Sequence, residues 1–511
     1  MLVWIPWLWL GCSVSTAPLG DVWGPVTETS GPTVGPSDPS TEDTSTPGTD
    51  GTDTGETGDA STSDTGTLAT TTDPDATDLP YVPDDPATLP KGLAWIRTER
   101  PFVSGLTVNL GAPPAAEVDR YYGDFHATAT HLWSTGVPDE VAGWEAAQHP
   151  DFRWVSWTDK DGVNPITGVG VGDVPVAAGR IGYQIFDEPR TLAEVDEMQV
   201  GVDRVRSLDP DALVLFNFGN PDDGLSPRTL FEYAIVASDP DVIAYDYYSD
   251  DHGEYERAGL VRDLGLQYDK PYWRYIDSYG DHTRPEPDLE DLRWSALLGL
   301  VYGYSGHTWF LYQTDAPTAE VVYTTLFDTT GEWSQSPNPQ FDAVAELNQE
   351  LESYADTINM LTSTAVTYEP MSVLYMPNDH VPFRPGTGGD PYMVSAVSQN
   401  LSGIATQEWS MGFFVDDHDE TYVMVLNANH PSASFPLYRP SGDLRLTLDF
   451  GSAPPSVDRT VVERFDPDTG SVVPEPLTWL GGTEAALDVT LDAGDVLLFK
   501  YATGAPFARR P

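Results

Sequence analysis

The sequence predicts an α/β chain: a (β/α)8 barrel, then an antiparallel β-sandwich, with a disordered linker in front of both. Three observations carry this reading. Between residues 91 and 362, apolar runs of strand length alternate eight times with helical periodicity, over roughly the size of a (β/α)8 barrel. After Leu361 the pattern changes to short alternating runs separated by turn residues, which reads as a sandwich over 363–503 with a tail at 504–511. Residues 13–90 are dominated by Thr, Ser, Asp, Gly and Pro, and no basic residue precedes Lys91. Such a segment cannot bury enough apolar surface to offset the entropy of ordering, and it reads as an acidic tether.

The eight units follow in order. Phe102 to Asn109 reads as a strand, with a helix around Ala115 to Phe125. Ala127 to Leu132 is the second strand, with a helix over Glu140 to Gln148. Phe152 to Trp157 is the third, followed by a Gly/Pro/Val loop rather than a helix. Gly182 to Phe186 is the fourth, and it ends in Asp187-Glu188-Pro189. Proline stops the strand. Thr191 and Glu194 then have capping-box spacing, and Leu192, Val195, Met198, Val202, Val205 and Leu208 recur at helical intervals. Ala212 to Phe216 is the fifth strand, with a helix near Thr229 to Ala237. Val242 to Tyr245 is the sixth, with a helix over Tyr255 to Leu266. Pro271 to Ile276 is the seventh, with a helix over Leu289 to Val301. His307 to Leu311 is the eighth, and a long helix over Phe341 to Leu361 closes the set. In the sandwich, runs such as Ser372 to Tyr375, Thr421 to Leu426, Leu444 to Leu448 and Val496 to Tyr501 alternate.

Composition narrows the function. The net charge of −55 argues against nucleic acid as a partner, because phosphate binding needs basic patches. The 15 Trp and 24 Tyr suit both a large core and the stacking of sugar faces on aromatic rings. No Gly-x-Ser-x-Gly elbow, His-Glu-x-x-His or paired-cysteine metal site is present in the sequence, so no cofactor or metal is implied. The run Ser249 to Glu254 is rich in oxygen ligands that could bind a hard cation, but its plainer reading is a solvated acidic loop.

Cys12 is the sole cysteine and follows a short apolar run from Leu2 to Gly11. That run is too short to span a bilayer and has the character of a secretion signal. The stretch Leu8-Trp9-Leu10-Gly11-Cys12 resembles a bacterial lipobox, in which the cysteine is lipidated after cleavage. The resemblance implies an exported protein held in the cell envelope by lipid on Cys12, with the acidic segment as its tether. No protein partner is implied.

In a barrel of this kind the strand C-termini surround one pocket. Here they carry Asn109; His131 and Trp133; Asp187 and Glu188; Asn217; Asp246 and Tyr247; Asp277 and Tyr279; and Trp309 and Tyr312. Carboxylates with aromatic walls suit glycoside cleavage, where one carboxylic acid protonates the leaving oxygen and a second attacks the sugar or activates water.

Residues 91 to about 361 resemble barrel glycoside hydrolases of the clan A type, the β-galactosidase/cellulase-like superfamily. In that clan an Asn-Glu pair ends strand four and its Glu is the acid/base, while a Glu ending strand seven is the nucleophile. Glu188 matches the first position, with Asp187 standing where the clan has Asn, and Asp277 is nearest to the second. An adjacent Asp-Glu pair also resembles the substrate-assisted β-N-acetylhexosaminidases. There the Asp orients the acetamido group, which is itself the nucleophile. On that scheme Asp187 and Glu188 take those roles, Tyr247 or Tyr279 helps hold the acetamido group, and Asp277 binds hydroxyls. The resemblance thus implies a glycosidase acting on a carbohydrate. The alternative is a non-catalytic carbohydrate-binding lipoprotein with a degenerate barrel.

Overall fold

The computed structural model describes residues 81–510, apart from 109–111, 134–136, 148, 159–178, 223, 249–251, 281–285, 315–324, 328–332, 334–335, 370–380, 400–407 and 431–440. Cys12, residues 13–80, Asn109, most of the loop after the third strand and the Ser372 to Tyr375 run lie outside the described residues.

The barrel is closed and all-parallel. Its strands are β1 (Phe102–Val108), β2 (Thr130–Trp133), β3 (Trp154–Thr158), β4 (Arg180–Ile185), β5 (Leu213–Phe218), β6 (Val242–Tyr245), β7 (Tyr272–Asp277) and β8 (Gly306–Thr314), with β8 pairing back onto β1. Every residue of β5, β7 and β8 is buried, as expected of strands covered on both faces. Around them lie α1 (Lys91–Thr98), α2 (Ala115–Asp119, continuing as a π-helical turn to Asp124), α3 (Val137–Ala146), α4 (Leu192–Leu208), α5 (Pro227–Ser238), α6 (His252–Gln267), α7 (Leu289–Tyr302) and α8 (Pro339–Ile358). The expected capping box of α4 is present: Glu194 N–H donates to Thr191 Oγ1 at 3.2 Å, and Thr191 N–H donates to the Glu194 carboxylate at 2.9 Å.

Helix α1 has no counterpart in the sequence reading. It lies at the N-terminal end of the barrel, where aromatic rings fill the interior. Trp273 stacks on Phe102 at 4.2 Å and 12°, and Trp95 of α1 lies 5.7 Å from Trp273. Gly306 allows this, because a Cβ there would sit 2.5 Å from the indole. The floor of the barrel is thus filled.

Behind the wall, Arg274 and Glu254 form a buried pair at 2.6 Å, each side chain 1% exposed. The Tyr245 hydroxyl donates to the same carboxylate at 2.6 Å, and Arg274 donates to the Ser295 carbonyl at 2.8 Å. Glu254 therefore pins α6 to β6 and β7 instead of joining an outward cation loop. Removing one partner of such a pair would leave an uncompensated buried charge.

The C-terminal domain contains two antiparallel sheets. One has the order β10 (Met393–Ser398), β13 (Ser441–Asp449), β17 (Glu484–Asp492), β16 (Thr478–Gly481). The other has the order β15 (Ser471–Pro476), β14 (Val461–Asp466), β18 (Val496–Tyr501), β12 (Thr421–Asn427), β11 (Trp409–Val415), β9 (Thr362–Glu369). Their shared core includes Trp409, Met411, Phe413, Leu446, Leu487 and Phe499. This domain sits on α7. The backbone of Gly412 approaches so closely that a Cβ would lie 2.1 Å from the Val301 carbonyl, and His430 stacks on Trp294 at 3.9 Å.

The boundary expected at residue 90 is corrected. Tyr81 is only 7% exposed and meets His418 edge-on at 5.3 Å, while Arg97 grips Asp417 through two hydrogen bonds of 2.7 and 3.1 Å. Residues 81–90 therefore belong to the folded unit. The composition of the segment hid one buried aromatic.

Candidate active site: a carboxylate cluster at the barrel mouth

Strand alternation decides which side chains face the barrel interior. The Tyr275 hydroxyl, on β7, reaches His131 Nδ1 on β2 at 3.3 Å and donates to Gln184 Oε1 on β4. Strands two, four and seven can meet in this way only across the interior. Tyr275 therefore faces inward, and Asp277, two residues on, faces the same way. Register carries the face around the ring: Gln184 pairs with Trp157, Asn217 with Ala244, and Ala244 with Trp273. Asp246 follows Ala244 by two and comes to the same side.

The strand-four end is conformationally unusual. Phe186 and Glu188 both have positive φ, at 62° and 45°, a region costly for side chains with a Cβ and often found at functional sites. The turn is held by Glu188 N–H donating to the Asn217 carbonyl at 3.2 Å. It lays the Glu188 side chain over Gly219, where a Cβ would lie 2.6–2.7 Å from its carboxyl arm. Arg190 Nη2 stands 3.5 Å from Glu188 Oε2.

Asp187 accepts two amide hydrogen bonds at one oxygen, from Gln184 Nε2 at 2.9 Å and from Asn217 Nδ2 at 3.0 Å. Loss of water is the largest influence on its carboxyl, and the Glu188 charge adds to it. Together they push its pKa up to about 8 against the pull of the two amides and Arg190. Asp246 is 8% exposed, and its carboxyl is pushed well above the usual range by burial, then by the charges of Glu188 and Asp187. The Glu188 charge thus acts on both aspartyl groups, the half-buried Asp187 and the buried Asp246, and makes each harder to ionise. His131 is held neutral by burial, which lowers its pKa to about 3. Asp277, 7% exposed, accepts from the Tyr279 N–H at 3.2 Å. On the β2–β3 side, Trp133 and Trp157 lie 4.4 Å apart with their rings inclined at 35°.

No family model matches this chain, and no curated protein does. Among solved structures, a β-galactosidase from Bacillus circulans sp. alkalophilus overlaps 80% of this chain and 99% of its own, at 8% identity and a TM-score of 0.47. A glycoside hydrolase family 5 protein from Bacteroides vulgatus overlaps 80% and 91%, at 10% identity and a TM-score of 0.42. A β-galactosidase from the haloarchaeon Halorubrum lacusprofundi overlaps 51% of this chain, at 13% identity and a TM-score of 0.36, and this chain spans 62% of that protein's length. These overlaps are loose, and what the barrel does is written in its own side chains.

The structure brings Glu188, Asp187, Asp246, Asn217, His131, Asp277 and Trp133 to the interior face or the mouth. It does not bring all the expected residues there. Trp309 faces outward and donates from Nε1 to Asn348 of α8 at 2.6 Å. Tyr312 donates to Glu117 at 2.7 Å and packs on Tyr121 and Phe125. Both are core residues: Phe310, not Trp309, lies level with Asp277, and a register shift of β8 against β1 between Trp309 and Gln313 breaks the alternation, so that Tyr312 shares the outward face of Trp309. Tyr247 turns away as well: its hydroxyl lies against Gly253, and Arg257 covers its ring at 5.3 Å. Tyr279 is 1% exposed and packs on Phe310 and Tyr248 at 5.2 and 5.8 Å, beside Asp277 but inside an aromatic cluster.

Three residues were missed: Gln184, Tyr275 and Trp157. An amide inside the apolar strand Gly182 to Phe186 was a readable signal, and so was the two-residue step from Tyr275 to Asp277. Among the described residues no group of His, Cys, Asp and Glu could hold a metal ion.

The Asp187 shift gives a signed prediction. Its folded pKa, about 8, lies above the unfolded value of about 3.9, so the native state holds an extra proton between those values. Its contribution is intact below pH about 4 and is lost progressively as pH rises through about 8. Asp187→Asn keeps the acceptor oxygen and removes the charge. Thermal melts should show the variant gaining on wild type at pH 8 while matching it near pH 4. An offset independent of pH would contradict the shift.

Proposed function

We propose that this protein is a glycoside hydrolase acting on an oligo- or polysaccharide, with Glu188 donating the proton to the leaving oxygen. The observation that carries the reading is Glu188 standing against two further carboxyl groups, the half-buried Asp187 and the buried Asp246, at the C-terminal ends of the barrel strands. Cleavage of a glycosidic bond needs an acid and a second carboxyl function in one place. The Trp133–Trp157 pair offers rings for the apolar face of a sugar. A purely binding barrel has no need to crowd three carboxyls together, where the Glu188 charge raises the cost of ionising both aspartates.

Two schemes assign the second role. In the two-carboxylate scheme Asp277 attacks the sugar or activates water. In the substrate-assisted scheme Asp187 orients a 2-acetamido group, which attacks in its place. One observation favours the second scheme: Asp187 is adjacent to Glu188 and held by two amide donors, an oriented carboxyl rather than a mobile one. Export and lipid attachment at Cys12 belong to the same reading, since a surface enzyme meets polysaccharide outside the cell. The Leu8 to Cys12 stretch supports them.

A panel of chromogenic glycosides, including N-acetylhexosaminides, should contain at least one substrate of the wild type. On that substrate Asp187→Asn should be the severe variant and Asp277→Asn the mild one under the substrate-assisted scheme, with loss on the order of the 10²–10⁴-fold typical of acid–base and positioning groups. The reverse order would assign Asp277 as nucleophile or base. No cleavage of any member would count against the hydrolase reading. For the anchor, wild type should enter the detergent phase and Cys12→Ser the aqueous phase; equal aqueous partitioning would remove lipidation.

A further inference from the structure

A hydrogen-bond chain crosses the barrel interior beneath Asp187. Tyr275 is 4% exposed and Gln184 2% exposed. The Tyr275 hydroxyl donates to Gln184 Oε1, which leaves the Gln184 NH2 group to donate to Asp187 Oδ1 at 2.9 Å and the Phe186 carbonyl at 3.3 Å. A phenol has one proton to give, and with it committed to Gln184 the hydroxyl oxygen is left to accept from the His131 ring, whose Nδ1 and Nε2 lie 3.3 and 3.5 Å away. Every donor then points the same way, from His131 through Tyr275 and Gln184 to Asp187. A reversed Gln184 amide would set its oxygen against the Asp187 carboxylate and its NH2 against the donating phenol.

We propose that Tyr275 is a positioning residue for Asp187: by fixing the Gln184 amide it commits Asp187 Oδ1 to two N–H donors, and leaves a proton or a substrate N–H to Oδ2. The consequence for catalysis rests on the glycosidase reading; the coupling itself does not. Tyr275 touches neither Asp187 nor, on this scheme, the reacting atoms. The charged and titratable groups around Asp187 are Glu188 and Arg190 on its own segment and Asp246 from the end of β6. Asp277, from β7, lines the same interior, and the remaining hydrogen-bond partner is the uncharged amide of Asn217.

Tyr275→Phe frees the Gln184 amide to turn, and Gln184→Leu deletes the donor outright. Either change takes an N–H from the ionised Asp187 and makes ionisation harder. Thermal melts at pH 4.5 and 9.5, on either side of the Asp187 pKa of about 8, read this without any substrate. Each variant should lose more at pH 9.5 than at pH 4.5, by about 1 °C or more, the size expected when ionisation becomes about one pH unit harder. That extra loss should disappear when either change is made in the Asp187→Asn background, and the Tyr275→Phe/Gln184→Leu double variant should show no more of it than Gln184→Leu alone. A loss equal at both pH values, or one that persists with Asn at 187, would overturn the proposal and leave Tyr275 a packing residue. On a cleavable glycoside, Tyr275→Phe should move the acid limb of kcat/KM upward by about one pH unit, with little change in KM. Failure to find a substrate would leave the melting matrix, and hence this proposal, decidable.

Discussion

Three carboxyl groups share one poorly hydrated patch, and the rest of the barrel mouth is arranged around that repulsion. Like charges a few ångströms apart in a medium of low polarisability cannot all ionise. The structure answers in two ways. Desolvation and the Glu188 charge raise both Asp187 and Asp246, which favours keeping their protons. Amide dipoles from Asn217 and Gln184 also converge on Asp187, supplying partial positive charge without a compensating cation. Arg190 offers a full charge to Glu188, at a distance of 3.5 Å. The proposed acid-catalysed cleavage draws on carboxyl groups arranged in this way.

Backbone and packing hold the arrangement in place. Positive φ at Phe186 and Glu188 is costly for side chains with a Cβ, so the turn persists only because its surroundings over-determine it. The Glu188 N–H bond to the Asn217 carbonyl and the bare Cα of Gly219 are two such determinants. The buried Arg274–Glu254 pair fixes α6 against the strands that carry Asp246 and Asp277. The aromatic floor of Phe102, Trp273 and Trp95 fills the opposite end. Charge of one sign dominates the whole chain, at −55, and this works against anionic ligands before any local contact is made.

Much of the architecture was legible because periodicity is a local property. Eight strand–helix repeats and the change to short alternating runs sufficed for the barrel and the antiparallel domain. The segment Gly182 to Pro189 pointed to the candidate site, because it ends an apolar strand in two adjacent carboxylates where α/β barrels place functional groups. Facing direction was less legible. Trp309 and Tyr312 share a strand with inward residues, and three residues apart they would alternate to opposite faces; a register shift between Trp309 and Gln313, which no local pattern announces, turns both outward. Tyr247 follows Asp246, and adjacency put it on the other side. Helix α1 and the Tyr81 contact were invisible for a different reason: each is stabilised by partners hundreds of residues away in sequence or across the barrel floor, and neither has a strong pattern of its own.

The central claim is that Glu188 delivers a proton to a departing oxygen, and leaving-group dependence addresses it directly. Rates should be measured for a series of aryl glycosides whose phenols span several pKa units, with wild type and Glu188→Gln. A proton donor matters most when the leaving group is a poor one. The account predicts a shallow dependence for wild type and a steep one for Glu188→Gln, with the two nearly converging for the most acidic phenols. Parallel lines of equal slope, or an unimpaired Glu188→Gln on the least acidic phenol, would contradict it.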